Sequence, residues 1–372
     1  MNYCRYTFKQ LANIKYGKNQ KNVLSESGSI PIYGTGGLMG YATDFLYDKP
    51  SVLIGRKGTI EKVYYVEHPF WTVDTLFYTE INDELVLPLY FYYLVSLLDL
   101  KQYNEGTTIP SLRTETLNRL EFDIPSLEDQ AKVLSVLKPI EDKIKVNEGI
   151  NKNLFQQAQN LFVSWFVDYE PFGGKMPDNW GNVSVYDLAD YINGAAFKKT
   201  EYSDTGYPII KIAELKNGIT DSTQRCCVKK DEKYYIGDRD ILFSWSGNPD
   251  TSIDTFIWSN GRAILNQHTF RVVSKFDAPA FTFFLLKYLK PQFTQIASNK
   301  QTTGLGHVTV ADLKKLQFNA NASAIAEFNT LVMPMFDLIY SNYKEIQQLS
   351  DLRDSLLPKL MSGELDISNL DL

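Results

Sequence analysis

The chain repeats itself, and that repeat limits its architecture more than any single motif does. L-A-N-I-K-Y-G at Leu11 to Gly17 is answered by L-A-D-Y-I-N-G at Leu188 to Gly194, an offset of 177. Pro31 and Pro208 keep that offset. Asp74 to Phe77 (D-T-L-F) then answers Gln267 to Phe270 (Q-H-T-F) at 193, and Leu117 to Phe122 (L-N-R-L-E-F) answers Leu313 to Phe318 (L-K-K-L-Q-F) at 196. Pro139 answers Pro334 at 195. An ordered series of this kind means two copies of one unit, and the drift in offset places extra residues inside the second copy.

Each copy opens with a long stretch rich in Gly, aromatic and β-branched residues, which reads as mixed strands, loops and short helices. Ser51 to Val66 looks like two strands around a Gly-containing turn. Each copy then closes with an amphipathic helix. In the first, Ser126 with Asp129 is a capping-box variant, and Pro139 allows a break or a fresh start. From there a four-three spacing runs through Ile140, Ile144, Asn147, Asn151, Leu154, Ala158, Leu161 and Trp165. Its counterpart runs through Met335, Ile339, Asn342, Ile346, Leu349, Arg353, Leu356 and Leu360. Such steps mark a coiled-coil seam, and an Asn inside a seam can fix register. Each stretch covers roughly 28 residues, or ~42 Å of helix. Two ordinary core helices are the alternative.

The expected fold class is therefore α+β: two pseudo-repeated mixed α/β domains separated by two long helices that pair as an antiparallel coiled coil. The expected boundaries are 1–125 and 173–320 for the domains, and 126–172 and 321–372 for the helical regions. These four segments carry formal charges of −2, −2, +3 and −5 in the order 1–125, 126–172, 173–320 and 321–372, for a total of −6. The total argues against a uniformly basic nucleic-acid coat but leaves room for a local DNA surface. Hydrophobic residues make up 44% of 372, and 50 are aromatic, enough for large cores. Cys4, Cys226 and Cys227 form no C-x-x-C, which points away from disulfides and zinc and toward a reducing compartment. The N-terminus has no apolar signal region, and the near-apolar run Leu87 to Leu98 falls short of the ~20 residues a membrane span needs. A cytoplasmic location is expected.

The chain resembles the specificity subunit of type I restriction-modification systems. Leu352 to Leu365 (L-R-D-S-L-L-P-K-L-M-S-G-E-L) is similar to that family's second helical region. Ile124 to Leu134 (I-P-S-L-E-D-Q-A-K-V-L) is similar to the entry into its first. Asn193 to Tyr202 (N-G-A-A-F-K-K-T-E-Y) and Ile264 to Val272 (I-L-N-Q-H-T-F-R-V) resemble target-recognition segments. In the first copy Tyr16-Gly17-Lys18-Asn19 departs from the N-G-x-x-F form. The resemblance implies two recognition domains, each reading half of a bipartite DNA site, and helices that pair antiparallel as a ruler. It implies no catalysis and no cofactor in this chain. The implied partners are double-stranded DNA, two modification subunits that use S-adenosylmethionine, and restriction subunits that use ATP and Mg.

The residues agree with an absence of catalysis. Gly174-Lys175 is followed by Met176, so no P-loop forms there. Asn248-Pro249-Asp250 is not the Asn-Pro-Pro-aromatic motif of amino-methyltransferases. His68, His268 and His307 are the only histidines, and no H-E-x-x-H occurs. One enzyme-like pattern stands as an alternative: Asp204 followed by Glu214-Leu215-Lys216 on a strand could hold a divalent metal beside a phosphate, as in a nuclease.

Bases are read by side chains that reach their edges: Arg and Lys suit guanine, Asn and Gln suit adenine, and apolar groups suit the thymine methyl. In the first copy the candidates are Arg56, Lys57, Thr107 and Thr108, with the Gly34 to Gly37 loop and Asn104. In the second they are Lys198, Lys199, Trp245, Asn266, Gln267, His268, Gln301, Thr303 and His307. Each has a plain rival: a turn for Gly34 to Gly37, a solvated pair for each Lys-containing dipeptide, a core residue for Trp245, and a polar strand face for Asn266 to His268. Thr107 and Thr303 match at offset 196. The coiled-coil and partner positions expected along the helices are Ile140, Ile144, Asn147, Leu154, Leu161, Ile339, Asn342, Ile346, Leu349 and Leu356, and the acidic helices are expected to offer the docking surfaces for the modification subunits. Because the two readers differ in sequence, the two half-sites should differ as well.

Overall fold

The computed structural model of the chain describes residues 3–301, 304–365 and 367. They divide into two units. One comprises the chain up to residue 142 together with residues from 351 onward, and the other comprises residues 143–350.

The centre of the first unit is a four-stranded antiparallel sheet. Its strands lie in the order Ala12–Tyr16, Leu76–Ile81, Ser51–Gly55 and Val63–Val66. Ser51 to Gly55 is buried on both faces, which suits its apolar Val52-Leu53-Ile54 run. A smaller sheet sets Ile30–Gly34 between an antiparallel Gly37–Ala42 and a parallel Trp71–Thr72. Tyr3–Thr7 pairs with Glu121–Pro125 and closes the unit. The apolar run that is too short for a membrane becomes the helix Pro88–Ser96. Pro sits in its first turn, and Tyr90, Phe91, Tyr93, Leu94 and Val95 are buried.

The second unit repeats this plan. Its sheet runs Ala189–Asn193, Thr269–Ser274, Ile241–Ser244 and Asp254–Ile257, again antiparallel throughout. Tyr207–Ile210 pairs in parallel with Ala263–Leu265, as Ile30–Gly34 does with Trp71–Thr72. Gly181–Ser184 pairs with Gln317–Ala320. Pro279–Tyr288 takes the place of the Pro-started helix.

Two helices of 40 and 41 residues follow the two copies, Leu127–Phe166 and Ala322–Ser362. Ser126 Oγ accepts the Asp129 N–H at 3.2 Å, which caps the first. Neither Pro139 nor Pro334 breaks its helix. Both prolines are exposed, so water can satisfy the carbonyl that each leaves unbonded. In the first unit Val133, Leu137, Leu357 and Leu360 join one apolar core with Phe8, Phe77 and Phe91. In the second, Ala158, Phe162, Phe166, Phe328, Val332 and Phe336 join another with Phe281 and Phe318. Part of Ala322–Ser362 is long and apolar enough, by length and composition alone, to cross a membrane. Its Phe328, Val332, Phe336 and Ile339 are spent in that core instead.

Within the second unit the helices run antiparallel over a polar seam. Asn342 Nδ2 donates to Asn151 Oδ1 at 2.8 Å, and Asn151 Nδ2 donates to the Ile339 carbonyl at 3.4 Å. One turn earlier on the first helix, Asn147 Nδ2 donates to Glu345 at 2.7 Å, and Lys143 pairs with the same carboxylate at 3.4 Å. The repeat aligns Asn147 with Asn342 and Asn151 with Ile346, but antiparallel packing faces Asn151 to Asn342. Ile346 cannot answer Asn147, whose buried Oδ1 has no hydrogen-bond partner among the described residues. Ile144 and Ile339 are buried, while Ile140, Leu154, Leu161, Ile346, Leu349 and Leu356 are partly buried.

Asn342→Leu should strand Asn151 and lower stability by about 1–3 kcal/mol. Asn151→Leu with Asn342→Leu should recover most of that loss. Urea unfolding of the full chain measures both. Additive losses in the double variant would show that the two amides do not act as a pair.

Candidate nucleic-acid interface

The repeated motif ends in glycine for a steric reason. A Cβ on Gly17 would lie 2.0 Å from the Val73 carbonyl oxygen, and one on Gly194 would lie 2.2 Å from that of Asn266. No side chain fits either gap. Each glycine therefore lets the end of an edge strand close onto the turn that enters the neighbouring strand. Tyr16 and Asn193, one residue earlier, are carried to the same end of their respective sheets.

At that end the central strand delivers one side chain per unit, Arg56 after Ser51–Gly55 and Trp245 after Ile241–Ser244. Their main chains make matching bonds. Arg56 donates its N–H to Thr75 (2.8 Å), and its carbonyl accepts from Leu112 (2.9 Å). Trp245 donates to His268 (3.4 Å) and accepts from Val308 (2.8 Å). Thr75 and His268 are repeat partners at offset 193, and Leu112 and Val308 are partners at 196. The sequence lists both residues as candidates but does not reveal their equivalence, because the second copy's extra residues shift the offset between Gly17 and Asp74.

The side chains differ where the backbones agree. The Arg56 guanidinium lies over the Tyr16 ring, 5.1 Å from its centroid, and donates to the Asp74 carbonyl. The Trp245 indole donates to Asn193 Oδ1 at 3.1 Å. Its ring stacks on Phe270 at 5.7 Å and lies as close to His268. One copy offers a cation on an aromatic platform, and the other offers an aromatic group beside an amide and an imidazole. The candidates named from the sequence do not include Tyr16 or Asn193, the residues on which Arg56 and Trp245 rest. The signal for both was their place just before the repeated glycine.

A loop flanks each of these positions and is pinned at its base. In the first unit Lys57 bridges to Ser111, and Gly58 donates to the Pro110 carbonyl, so the loop that carries exposed Thr107 and Thr108 is anchored at the turn after Arg56. Glu105 ties this loop to Arg113 at 3.1 Å and to the Thr116 hydroxyl. In the second unit Lys300 pairs with Asp312 at 2.5 Å, and Asp312 also accepts from the Thr309 N–H at 2.7 Å. Burial pushes the Asp312 carboxyl up, but Lys300 and Thr309 outweigh it and hold the carboxyl below its ordinary range. His307 pairs in register with Ser246, next to Trp245. Gln301 is exposed on the same loop. Thr303 lies outside the described residues.

The other candidates have separate surroundings. Asn266 is buried, and its side chain accepts the His268 N–H at 3.4 Å, while Gln267 and His268 are exposed. Lys198 and Lys199 are exposed at a short turn where Glu201 accepts the Lys198 N–H and pairs with Lys230 at 2.6 Å. Gly34 to Gly37 forms the tip of a hairpin whose Leu38 and Met39 are exposed. The expectation of a strand at Glu214-Leu215-Lys216 is corrected: these residues lie on the helix Ile212–Asn217. Glu214 accepts the Lys211 N–H at 3.0 Å, capping the helix, and that local bond decides for helix over strand. Asp204 lines a polar hollow with Asp221 and Arg225, and neither Glu214 nor Lys216 contributes to it.

Residues 3–156 and 177–320 match the family model described as the Type I restriction modification DNA specificity domain. The chain is 25% identical to the type I restriction enzyme MjaIX specificity subunit of Methanocaldococcus jannaschii, over 87% of this chain and 80% of that one. It is 22% identical to the HindI specificity subunit of Haemophilus influenzae, over 77% and 79%. Among solved structures, the type I restriction-modification S subunit from M. genitalium has the same fold. The TM-score is 0.58 at 15% identity, over 97% of this chain and 96% of that one.

Asp312→Asn should release the loop between Lys300 and Thr309 by about 1–3 kcal/mol, the worth of hydrogen bonds to a charged group whose partner stays behind. Hydrogen exchange of residues 304–308 should accelerate accordingly. Because the folded carboxyl titrates below its ordinary range, its contribution is complete above about pH 4 and fades as the pH falls further. Unchanged exchange in the variant would show that the loop is held by other bonds.

Proposed function

This chain belongs to the type I restriction modification DNA specificity family, and from that premise we propose that it gives a type I restriction-modification complex its DNA sequence preference. Each recognition domain, 1–125 and 173–320, reads one half of an asymmetric bipartite site. The helical regions, 126–172 and 321–372, set the spacing and dock the methyltransferase subunits, one per repeat. The observation that carries this reading is one backbone site built twice with different side chains, Arg56 on Tyr16 and Trp245 on Asn193. A frame made twice supports two readings, and unlike side chains support unlike half-sites.

The chemistry belongs to the partners: S-adenosylmethionine to the modification subunits, ATP and Mg to the restriction subunits. The adenine to be methylated is flipped into a partner's pocket, since its amino group is hard to reach inside a stacked duplex. With a net charge of −6, this chain leaves much of the phosphate neutralisation to those subunits. The complex works in the cytoplasm, where its DNA lies.

Co-expression with the neighbouring modification subunit in a methylation-free host, followed by mapping of methyl-adenine, should yield a gapped, asymmetric motif that disappears without this chain. The chain alone should leave plasmid intact in the presence of magnesium. An intact complex with no motif, or cleavage by the lone chain, would overturn the proposal.

A further inference from the structure

We propose that Arg56 reads a guanine in the half-site served by the first copy, and that the second half-site has no guanine read from the equivalent position. The inference rests on the DNA-reading function above and adds to it a base and a side chain.

Guanine presents two acceptors, O6 and N7, on its major-groove edge, and the planar fork of an arginine donates to both. Arg56 is suited to that task in three ways. Its backbone is bonded on both sides, to Thr75 and to Leu112, so the strand end aims the side chain. Its guanidinium rests on the Tyr16 ring with one N–H on the Asp74 carbonyl, which fixes the plane and leaves the other donors of the fork without a hydrogen-bond partner among the described residues. An arginine held in this way loses little conformational freedom on binding. Its charge is also available. Arg5 and Arg113 of the same unit are paired with Asp123 and Glu105, whereas no ion pair among the described residues involves Arg56.

The surroundings distinguish a base from a phosphate as the partner. Arg56 is partly buried at a strand end, while Lys57 beside it, together with Thr107 and Thr108, is exposed. An exposed lysine and exposed hydroxyls suit phosphates, and an arginine held by its neighbours suits a base edge. At the equivalent position the Trp245 indole has a single N–H, already donated to Asn193. It cannot form the paired contact, so no guanine is read from the equivalent position of the second copy.

The test is methyl-adenine mapping of the assembled complex carrying the unaltered chain, R56A, R56K or R56Q, with co-purification of the modification subunit as the check on assembly. The unaltered chain should give a bipartite motif with a guanine in one half. In R56A, discrimination for that guanine should fall about 5- to 150-fold, with the other half-site unchanged. R56K keeps the charge without the planar fork and, because lysine also pairs with guanine, should keep the preference in weakened form. R56Q, which removes the charge and suits adenine instead, should lose the preference and supplies the answer if R56A fails to assemble. Uniformly weaker methylation in R56A and R56Q with the guanine still preferred would mean a phosphate contact and overturn the inference. Loss of preference in both half-sites, or at a base pair other than G·C, would do the same. No bipartite motif from the unaltered chain would overturn the function itself, whereas an intact motif in every variant would overturn only the role of Arg56.

Discussion

The long helices complete the largest apolar core of each compact unit. Val133, Leu137, Leu357 and Leu360 sit among the aromatic residues of one, and Ala158, Phe162, Phe166, Phe328 and Phe336 sit among those of the other. Phe162 alone lies within ring contact of Phe166, Phe281, Phe318 and Phe328. At about 1.5–3 kcal/mol for each large apolar side chain buried, this contact outweighs any surface interaction in the molecule. Each helix therefore has two tasks at once, completing the cores and pairing with the other helix. The apolar stripe serves both, Glu345 enters the seam, and Glu128, Asp142, Glu148 and Glu327 are left exposed.

On that support the two copies hold the same frame and different fittings. The sheet order, the parallel pair beside it, the Pro-started helix and the glycine that closes onto a carbonyl all recur. Each copy clamps its loop with an ion pair at positions of its own, Glu105 with Arg113 in one and Lys300 with Asp312 in the other. What does not recur is the side chain at the strand end. One backbone frame thus presents two different surfaces.

Much of this was legible in the chain itself. The offsets located both copies, and the four-three spacing located the helices, because duplication and amphipathicity leave linear traces. Three things were not legible. The equivalence of Arg56 and Trp245 depends on counting back from strand partners, since an insertion lies between the fixed offsets. The partner of Asn151 depends on the direction of helix packing, which spacing alone does not encode. Glu214 to Lys216 alternates like a strand, but the Lys211 N–H meets the Glu214 carboxylate and the segment coils. In each case a bond between residues distant in sequence, or a local cap, overrode the pattern.

Main-chain hydrogen bonds from both sides hold position 56, and the same bonds hold position 245. None of them involves the side chain. The fold has already accepted an arginine at one and a tryptophan at the other, two residues with little in common beyond size. If position 56 reads a base as proposed, exchanging its side chain would change the base favoured and leave the skeleton as it stands, so a cell could acquire a new address on its genome without having to evolve a new protein to find it.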